Sequence, residues 1–371
     1  MVPIAKPLST VAVLGAGYMG SAITYPLAEN GVGVRLWGTW LDDGIIDSCK
    51  SGNHPKLKKK LPEAVSLFYS KEIGWAVRDV DAVFIAVTSE GFIPVFQVLL
   101  DTLERACPVF TLTKGFLRQG ELLRKGTVLD RSTVSSNGAK ILRISEGAEE
   151  MFRSRFQSEQ FAWASVGGPV KAAELSLKIP SATVYGVNAA YLRETAESFS
   201  TGYYRVEISG DVRGVELSSA FKNAYAVAIG ICDGLYEQRL PGLYHNFRGI
   251  MFTQAVKEMS IIVSRAGGQP GTVYGLAGVG DLHVTGSSGR NRRLGELIGS
   301  GMTAEDAYRF MLNEGEVAEG YTALELGTEY IRELDPGLLQ GLPLLGMLHR
   351  VIFGGRALDK ELDEFVHDYR G

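Results

Sequence analysis

The chain has 371 residues, of which 45% are hydrophobic and 22% are charged, so it is long enough for two globular domains with separate cores. Its formal net charge of −4 and its scattered basic residues give no electrostatic reason to expect a nucleic acid or an anionic membrane as a partner. Three widely spaced cysteines without metal-ligand spacing, and no apolar stretch near the ~20 residues of a membrane span, predict a cytoplasmic protein without a metal or a membrane span.

Short apolar, β-branched runs alternate with helix-length segments through the first half of the chain. In chain order they are TVAVLG, VGVRLW, DAVFIAV, PVFTLTKG, TVLDRS, FAWASVGG, SATVYG and YYRVEI. Runs of this kind separated by helices are typical of a mostly parallel sheet that is covered by helices on both faces. After about residue 210 the β-branched runs largely disappear and helical periodicity dominates. The predicted long helices cover residues 212–235, 247–266, 303–313, 322–334 and 360–369.

Three glycines, Gly15, Gly17 and Gly20, form the pattern G-x-G-x-x-G between the strand VAVL and a helical segment. In a dinucleotide site the first glycine turns the chain, the second lets the backbone approach a diphosphate, and the third allows close helix–strand packing. Tyr18 and Met19 then lie at the helix N-terminus, where unpaired N–H groups attract phosphate. The alternative is a tight turn without a ligand.

The glycine pattern and the alternating elements together predict the fold class. We expect an α/β N-terminal Rossmann-type doubly wound sheet over residues 1–208 that binds NAD or NADP, followed by an all-α C-terminal domain over residues 209–371. An acidic group at the end of the second strand favours NAD, and a basic group favours NADP. Here Trp37, Gly38 and Thr39 occupy those positions and Asp42 and Asp43 follow late, so the preference stays open, with NAD slightly ahead.

Lys222 is the only charged residue between Glu216 and Asp233, within the apolar segment SSAFKNAYAVAIGICDG. Desolvation lowers the pKa of a buried lysine, which suits it to act as a general base near neutral pH. The alternative is a lysine whose stem packs in the helix while its amine reaches water.

A second polar segment, GLAGVGDLHVTGSSGRNRRLG, holds Asp281, Thr285, Arg290 and Asn291. An arginine can grip a phosphate through two hydrogen bonds, and a carboxylate near a lysine can orient it or hold a substrate hydroxyl. The alternative is a flexible polar loop without such a role.

Taken in order along nearly the whole chain, several motifs resemble the NAD(P)-dependent sn-glycerol-3-phosphate dehydrogenase family. They are GAGYMG, NHPKL with KLPE, TKGF, GGPVKAAEL, ELSSAFKNAYAVAIGICDGL, GLAGVGDLHVTGSSGRNRRLGELIGSG and VAEGYTALE. The E-L-x-x-x-x-K-N helix together with G-D-L…T…R-N is far more specific than the glycines.

This resemblance implies a role for individual residues. Lys222 corresponds to the proton acceptor that takes the alcohol proton as hydride leaves the same carbon, and Asp281 is expected to assist it as a catalytic residue. Lys114, in TKG, is implied to stabilise the developing alkoxide or to steer the phosphate. The implied substrate-binding residues are Lys114, Gly168, Asn223, Asp281, Thr285, Arg290 and Asn291, with Arg290 and Asn291 on the phosphate. The implied cofactor-binding residues are Gly15, Gly17, Tyr18, Met19, Gly20, Trp37, Lys114, Ala172, Arg290, Val317 and Glu319.

The resemblance also implies a cytoplasmic homodimer that acts on a small phosphorylated polyol and supplies lipid head-group synthesis. Val170 and Lys171 depart from the family pattern, in which a hydroxyl and an aromatic side chain are common, so another polyol phosphate stays open. A β-hydroxyacid dehydrogenase would place its lysine and asparagine a turn apart, whereas Lys222 and Asn223 are adjacent. A cofactor-binding sensor without turnover would be expected to lose the base or the phosphate grip.

Overall fold

A computed structural model describes residues 8–122, 140–157, 159–237 and 243–368 of the chain. Its internal contacts divide the chain into two compact units. The first comprises Met1–Asn137 and Leu142–Glu216, and the second comprises Gly138–Ile141 and Leu217–Gly371. The sequence placed the boundary at residue 208, whereas this division follows Glu216, inside a long helix.

The first unit contains an eight-stranded sheet in the order β10-β9-β8-β5-β4-β1-β2-β3, and a separate two-stranded sheet joins β6 and β7. The strands are β1 (Thr10–Leu14), β2 (Gly33–Trp37), β3 (Val65–Phe68), β4 (Ala82–Ile85), β5 (Val109–Thr111), β6 (Phe116–Arg118), β7 (Ile141–Arg143), β8 (Trp163–Gly167), β9 (Ser181–Val187) and β10 (Tyr204–Ser209). All neighbours in the large sheet run parallel except β8 and β9. The mostly parallel sheet is therefore confirmed. The run TVLDRS lies outside the described residues.

Helices cover both faces of this sheet because alternate residues of each strand face opposite sides. Val11 and Val13 of β1 belong to one core, and Ala12 and Leu14 belong to another. The helices of this unit are α1 (Tyr18–Glu29), α2 (Asp43–Ser51), α3 (Ile73–Ala76), α4 (Ser89–Thr102), α5 (Gln119–Leu122), α6 (Ile144–Arg155), α7 (Ala172–Ser176) and α8 (Tyr191–Glu197). Helices α1, α7 and α8 pack in the first core, and α3, α4 and α6 pack in the second. The doubly wound arrangement is thus confirmed.

The second unit is built from helices, as the periodicity predicts. They are α9 (Val212–Tyr236), which the division crosses, then α10 (His245–Arg265), α11 (Pro270–Val273), α12 (Asp281–Ser287), α13 (Arg290–Gly299), α14 (Ala304–Asn313), α15 (Glu319–Leu334), α16 (Pro343–Ile352) and α17 (Leu358–Asp368). Residues 214–233 of α9 are all buried, which agrees with the predominance of apolar residues around this helix. The sequence missed α11, α12, α13 and α16. None of the described helices is long and apolar enough to cross a membrane.

Candidate active site

Lys222 lies in the buried middle of α9 and is 6% exposed. Its Nζ donates hydrogen bonds to Asp281 Oδ1 at 2.8 Å and to Thr285 Oγ1 at 2.7 Å. Thr285 Oγ1 in turn donates to Asp281 Oδ1 at 3.2 Å, and Asp281 is itself 3% exposed. The amine is therefore held inside the unit by a buried carboxylate, so the alternative of a lysine whose amine reaches water is wrong.

A π-helical turn places Asp281 at the start of α12. The turn spans Leu276–Gly280 and leads directly into α12, and such wide turns occur frequently at functional sites. A Cβ on Gly278 would stand 2.1 Å from the carbonyl oxygen of Val273, so only glycine fits there. Asp281 and Thr285 are four residues apart on α12 and therefore share one face of it. The segment is helical rather than a flexible polar loop, so that alternative is also wrong.

A second polar cluster surrounds Asn223, the residue after the lysine. Asn223 Oδ1 accepts a hydrogen bond from Asn291 Nδ2 at 2.8 Å, and its Nδ2 donates to Glu319 Oε2 at 3.3 Å. Asn291 Oδ1 accepts from the backbone N–H of Gly320 at 2.8 Å. Asn223 and Asn291 are 3% and 7% exposed. These bonds fix the orientation of both amides and hold three separate helices together at this point.

Close packing of α9 against α13 brings the two asparagines together. A Cβ on Gly230 of α9 would stand 2.0 Å from the carbonyl oxygen of Arg292, and a Cβ on Gly295 of α13 would stand 2.0 Å from that of Val227. The backbones therefore touch where both helices carry glycine. This approach sets the distance from which Asn291, in the first turn of α13, reaches α9.

Arg290 begins α13 beside this cluster, with half of its side chain exposed. Its Nη2 lies 4.0 Å from Glu319 Oε1, which is too long for a hydrogen bond. Its planar guanidinium can therefore take up an anion through two parallel hydrogen bonds. Val317 is half-buried just before α15, and Glu319 is the first residue of that helix.

In the first unit, each glycine of the motif has a distinct physical reason. Gly15 has a φ of +105°, and its Cβ would stand 2.7 Å from the carbonyl oxygen of Ala86. A Cβ on Gly20 would stand 1.9 Å from the carbonyl oxygen of Gly15. A Cβ on Gly17 would meet nothing within 4 Å. The fold thus requires the first and third glycines, whereas the second keeps open the space that a diphosphate would occupy.

The N-terminus of α1 completes this cradle. The helix has no acidic residue in its first turn, and no side chain caps its first N–H groups. Tyr18 is 40% exposed and Met19 is half-buried at this end. Unpaired N–H groups and the positive end of the helix dipole suit a phosphate group, so the residues present fit a dinucleotide.

Trp37 stands at the end of β2, but its indole ring lies in the core. The residue is 1% exposed, and its Nε1 donates to the carbonyl oxygen of Ser70 at 3.0 Å. Its own carbonyl oxygen accepts from the backbone N–H of Gly15 at 2.9 Å. Any cofactor contact of Trp37 is thus left to its main chain.

Two residues that the sequence did not assign hold the glycine loop from either side. Asp42 Oδ2 accepts from the backbone N–H of Ala16 at 3.2 Å and from Thr39 Oγ1 at 2.8 Å. His54 Nε2 lies 3.1 Å from the carbonyl oxygen of Ala16, while its Nδ1 accepts from the backbone N–H groups of Lys56 and Leu57. The ring is therefore neutral and donates through Nε2, and burial lowers the pKa of His54. In the sequence, the signals for these two residues were the position of Asp42 shortly after the second strand and the NHPKL motif that contains His54.

The remaining candidates of the first unit follow neighbouring parallel strands. Lys114 is half-buried after β5, Gly168 directly follows β8, and Ala172 begins α7. Gly168 has a φ of +135°, and its Cβ would stand 2.9 Å from Thr183 Cα, so glycine is required there. Because β1, β4, β5 and β8 run parallel, these residues share one edge of the sheet with the glycine loop, which is where open α/β sheets bind ligands.

Comparison with protein families finds two matches that together span most of the chain. Residues 10–192 match the model described as NAD-dependent glycerol-3-phosphate dehydrogenase N-terminus. Residues 211–363 match the model described as NAD-dependent glycerol-3-phosphate dehydrogenase C-terminus.

Individual relatives agree with these matches. The chain is 30% identical over 359 residues to an NADP(+)-dependent glycerol-3-phosphate dehydrogenase of Archaeoglobus fulgidus, which covers 96% of this chain and 98% of the relative. It is 31% identical over 363 residues to a glycerol-3-phosphate dehydrogenase [NAD(P)+] of Halorhodospira halophila, with 96% of each chain covered. A crystal structure of glycerol-3-phosphate dehydrogenase from Coxiella burnetii has a TM-score of 0.75 at 25% identity, and the match covers 97% of this chain and 99% of that one.

Proposed function

The chain belongs to the NAD-dependent glycerol-3-phosphate dehydrogenase family, and from this premise we propose that it interconverts sn-glycerol 3-phosphate and dihydroxyacetone phosphate. The cofactor is NAD or NADP. The observation that carries this proposal is the buried lysine of α9, which is paired with Asp281 and lies next to the asparagine cluster. The packing of a helix does not require a buried ammonium group. Proton transfer to a carbonyl oxygen does require a proton donor at that place.

Lys222 is the acid and base of the proposed reaction. NAD(P) supplies or accepts the hydride at the central carbon of the substrate. During reduction the ammonium of Lys222 donates a proton to the ketone oxygen, so that ketone, hydride and proton together give the secondary alcohol. During oxidation the neutral amine takes that proton back. Asp281 Oδ1, 2.8 Å from Nζ, balances the charge of the ammonium, and Thr285 fixes its direction.

Substrate binding in the second unit falls to the asparagine cluster and Arg290. The exposed guanidinium of Arg290 can bind two phosphate oxygens at once, and Asn291 lies next to it on α13. Asn223 orients Asn291 through their amide hydrogen bond. In the first unit, Lys114 offers a second cation that would stabilise the developing alkoxide or steer the phosphate. Gly168 lets the backbone approach the substrate closely.

Cofactor binding in the first unit uses the glycine loop and the first turn of α1. Gly17 keeps the approach to the diphosphate open, and Tyr18 and Met19 follow at the positive end of the helix dipole. We assign the remaining cofactor contacts to the main chain of Trp37 and to Ala172. The second unit would contribute Arg290, Val317 and Glu319.

The test is oxidation of reduced cofactor by dihydroxyacetone phosphate, followed by the absorbance of the reduced nicotinamide. NADH and NADPH are run separately, and a panel of other phosphorylated polyols and β-hydroxyacids is run beside them. We expect turnover with dihydroxyacetone phosphate to exceed that with every other member of the panel. A folded protein that binds cofactor but turns over no member of the panel would instead be a cofactor-binding sensor.

We also propose a cytoplasmic homodimer, on the strength of the family resemblance. The three cysteines are unpaired, and burial raises the pKa of the Cys107 and Cys232 thiols to about 12, which keeps them unreactive. Sedimentation equilibrium is expected to give twice the chain mass, and a monomer at micromolar concentration contradicts the dimer. Cell fractionation with activity in the membrane or secreted fraction contradicts the location.

A further inference from the structure

Ser219 shares the helix face that carries the proposed site. At about 100° per residue, Asn223 lies about 100° around α9 from Lys222, and Ser219 lies about 60° around in the same direction, one turn earlier. Ser219 thus stands between the directions of Lys222 and Asn223. Helical side chains lean toward the N-terminus of their helix, so both of these side chains extend over the turn to which Ser219 belongs.

The hydroxyl of Ser219 is buried without a hydrogen-bond partner among the residues that the structure describes. Ser219 is 3% exposed, and its Oγ is one of the few buried polar side-chain atoms left unpaired. Several other helical hydroxyls bond to a carbonyl oxygen three or four residues earlier, as Ser154 does at 2.6 Å and Thr328 at 2.7 Å. Buried hydroxyls nearly always have partners. The unpaired Oγ of Ser219 is therefore available to a group from outside the chain, and its direction, between Lys222 and Asn223, places it on the side of the proposed site.

The chemistry of the surrounding residues narrows down that group. Lys222 serves the reacting oxygen, and Arg290 with Asn291 serves the phosphate, both according to the proposed function. A three-carbon polyol phosphate has one further polar group, its free terminal hydroxyl. A neutral serine hydroxyl can donate to it or accept from it. Resting on the proposed function, we propose that Ser219 Oγ hydrogen-bonds the free hydroxyl of sn-glycerol 3-phosphate and dihydroxyacetone phosphate.

Ser218 provides a matched control one residue earlier. It is fully buried, and its Oγ is also unpaired among the described residues. It lies about 40° from Lys222 in the opposite direction around the helix, away from the asparagine cluster. The two serines therefore differ in direction but not in residue type, helix or unpaired state.

The test compares two substrates in the Ser219→Ala and Ser218→Ala variants. Hydroxyacetone phosphate lacks the free hydroxyl but keeps the ketone and the phosphate. In Ser219→Ala we expect kcat/KM for dihydroxyacetone phosphate to fall about 3- to 10-fold, mostly through KM, which is the effect of one neutral hydrogen bond. The value for hydroxyacetone phosphate should stay unchanged. Both variants should keep the wild-type Tm, because removal of an unpaired buried hydroxyl is nearly neutral.

The outcomes separate this assignment from the proposed function. Wild-type turnover of dihydroxyacetone phosphate with an unchanged substrate ratio in Ser219→Ala overturns the assignment of Ser219 alone. An equal loss with both substrates, or the same change of ratio in Ser218→Ala, also overturns it. A folded wild-type protein that turns over neither substrate with NADH or NADPH refutes the proposed function, and the assignment of Ser219 with it.

Discussion

Replacing Lys222 with methionine separates the catalytic role of the buried ion pair from its contribution to stability. Methionine keeps an unbranched side chain of similar length but removes the charge, so the carboxylate of Asp281 stays buried without its cation. Breaking a buried pair in this way costs about 3–5 kcal/mol. At roughly 2–4 °C per kcal/mol for a unit of this size, the Tm should fall by about 6–20 °C. The protein stays folded at 25 °C if its stability lies in the upper part of the usual range of about 5–15 kcal/mol.

The double variant Lys222→Met/Asp281→Asn removes both charges and so resolves the two effects. Asparagine can still accept the hydrogen bond that Thr285 Oγ1 donates at 3.2 Å. We expect it to recover most of the lost Tm, since no unpaired charge stays buried. Turnover should stay about two to four orders of magnitude below wild type in both variants, because the proton donor is missing in each.

The assays are thermal unfolding, followed by circular dichroism, and steady-state oxidation of the reduced cofactor. Arg350→Met is a control at a second buried carboxylate: Arg350 Nε donates at 2.8 Å to Glu361, which is only 2% exposed and also has Arg356 Nε at 3.6 Å. That variant should lose Tm and keep kcat. The reasoning is refuted if Lys222→Met keeps more than about a tenth of the wild-type kcat, or if the double variant regains turnover together with stability.

Three further predictions concern the glycine loop, His54 and Arg290. Gly17→Ala should leave the Tm unchanged or slightly raised, because its Cβ meets no other atom within 4 Å. The same methyl group would fill the space proposed for the diphosphate, so a fluorescence titration should show cofactor binding at least tenfold weaker. Gly20→Ala should instead lower the Tm, because its Cβ would stand 1.9 Å from a backbone oxygen. Because burial lowers the pKa of His54 below its usual 6.5, its contribution to stability should be complete above pH 6.5 and be lost as the pH falls toward the lowered value. A His54→Gln variant that keeps the full wild-type slope of Tm against pH in that range contradicts this. Arg290→Ala should raise the KM for dihydroxyacetone phosphate at least tenfold with little change in Tm, and an unchanged KM would place the phosphate grip elsewhere.

Local chain chemistry made much of the first unit predictable. The order of apolar runs and helical segments reports the parallel sheet, because strands buried on both faces need continuous apolar residues. The glycine motif could be located from the sequence because each of its positions excludes a side chain. Gly15 makes the turn, Gly17 leaves the approach to the diphosphate open, and Gly20 allows close packing. The strands β3, β6 and β7 escaped prediction because a polar residue interrupts or ends each short apolar run, as Ser66 does in β3, Arg118 in β6 and Arg143 in β7.

The partners of the site residues could not be predicted from spacing. Lys222 forms hydrogen bonds with Asp281 and Thr285, which lie 59 and 63 residues further along the chain. Asn223 forms one with Asn291, 68 residues further along. The sequence showed only that these polar groups exist and that the lysine lies in an apolar helix. The burial of the Trp37 indole in the core was equally out of reach, because a strand-end residue can face either side of the sheet.

The sequence by itself determined the class of each unit, the glycine turn and the helix that carries the buried amine. These features depend on periodicity and on backbone conformations that a few residue types allow. The tertiary structure alone decided which carboxylate balances Lys222 and how Asp42 and His54 hold the peptide of Ala16. It also decided that both serine hydroxyls of α9 are buried without a hydrogen-bond partner among the described residues. Such pairings depend on how helices and loops pack in three dimensions, because the contact of two side chains distant in sequence is set by the elements between them.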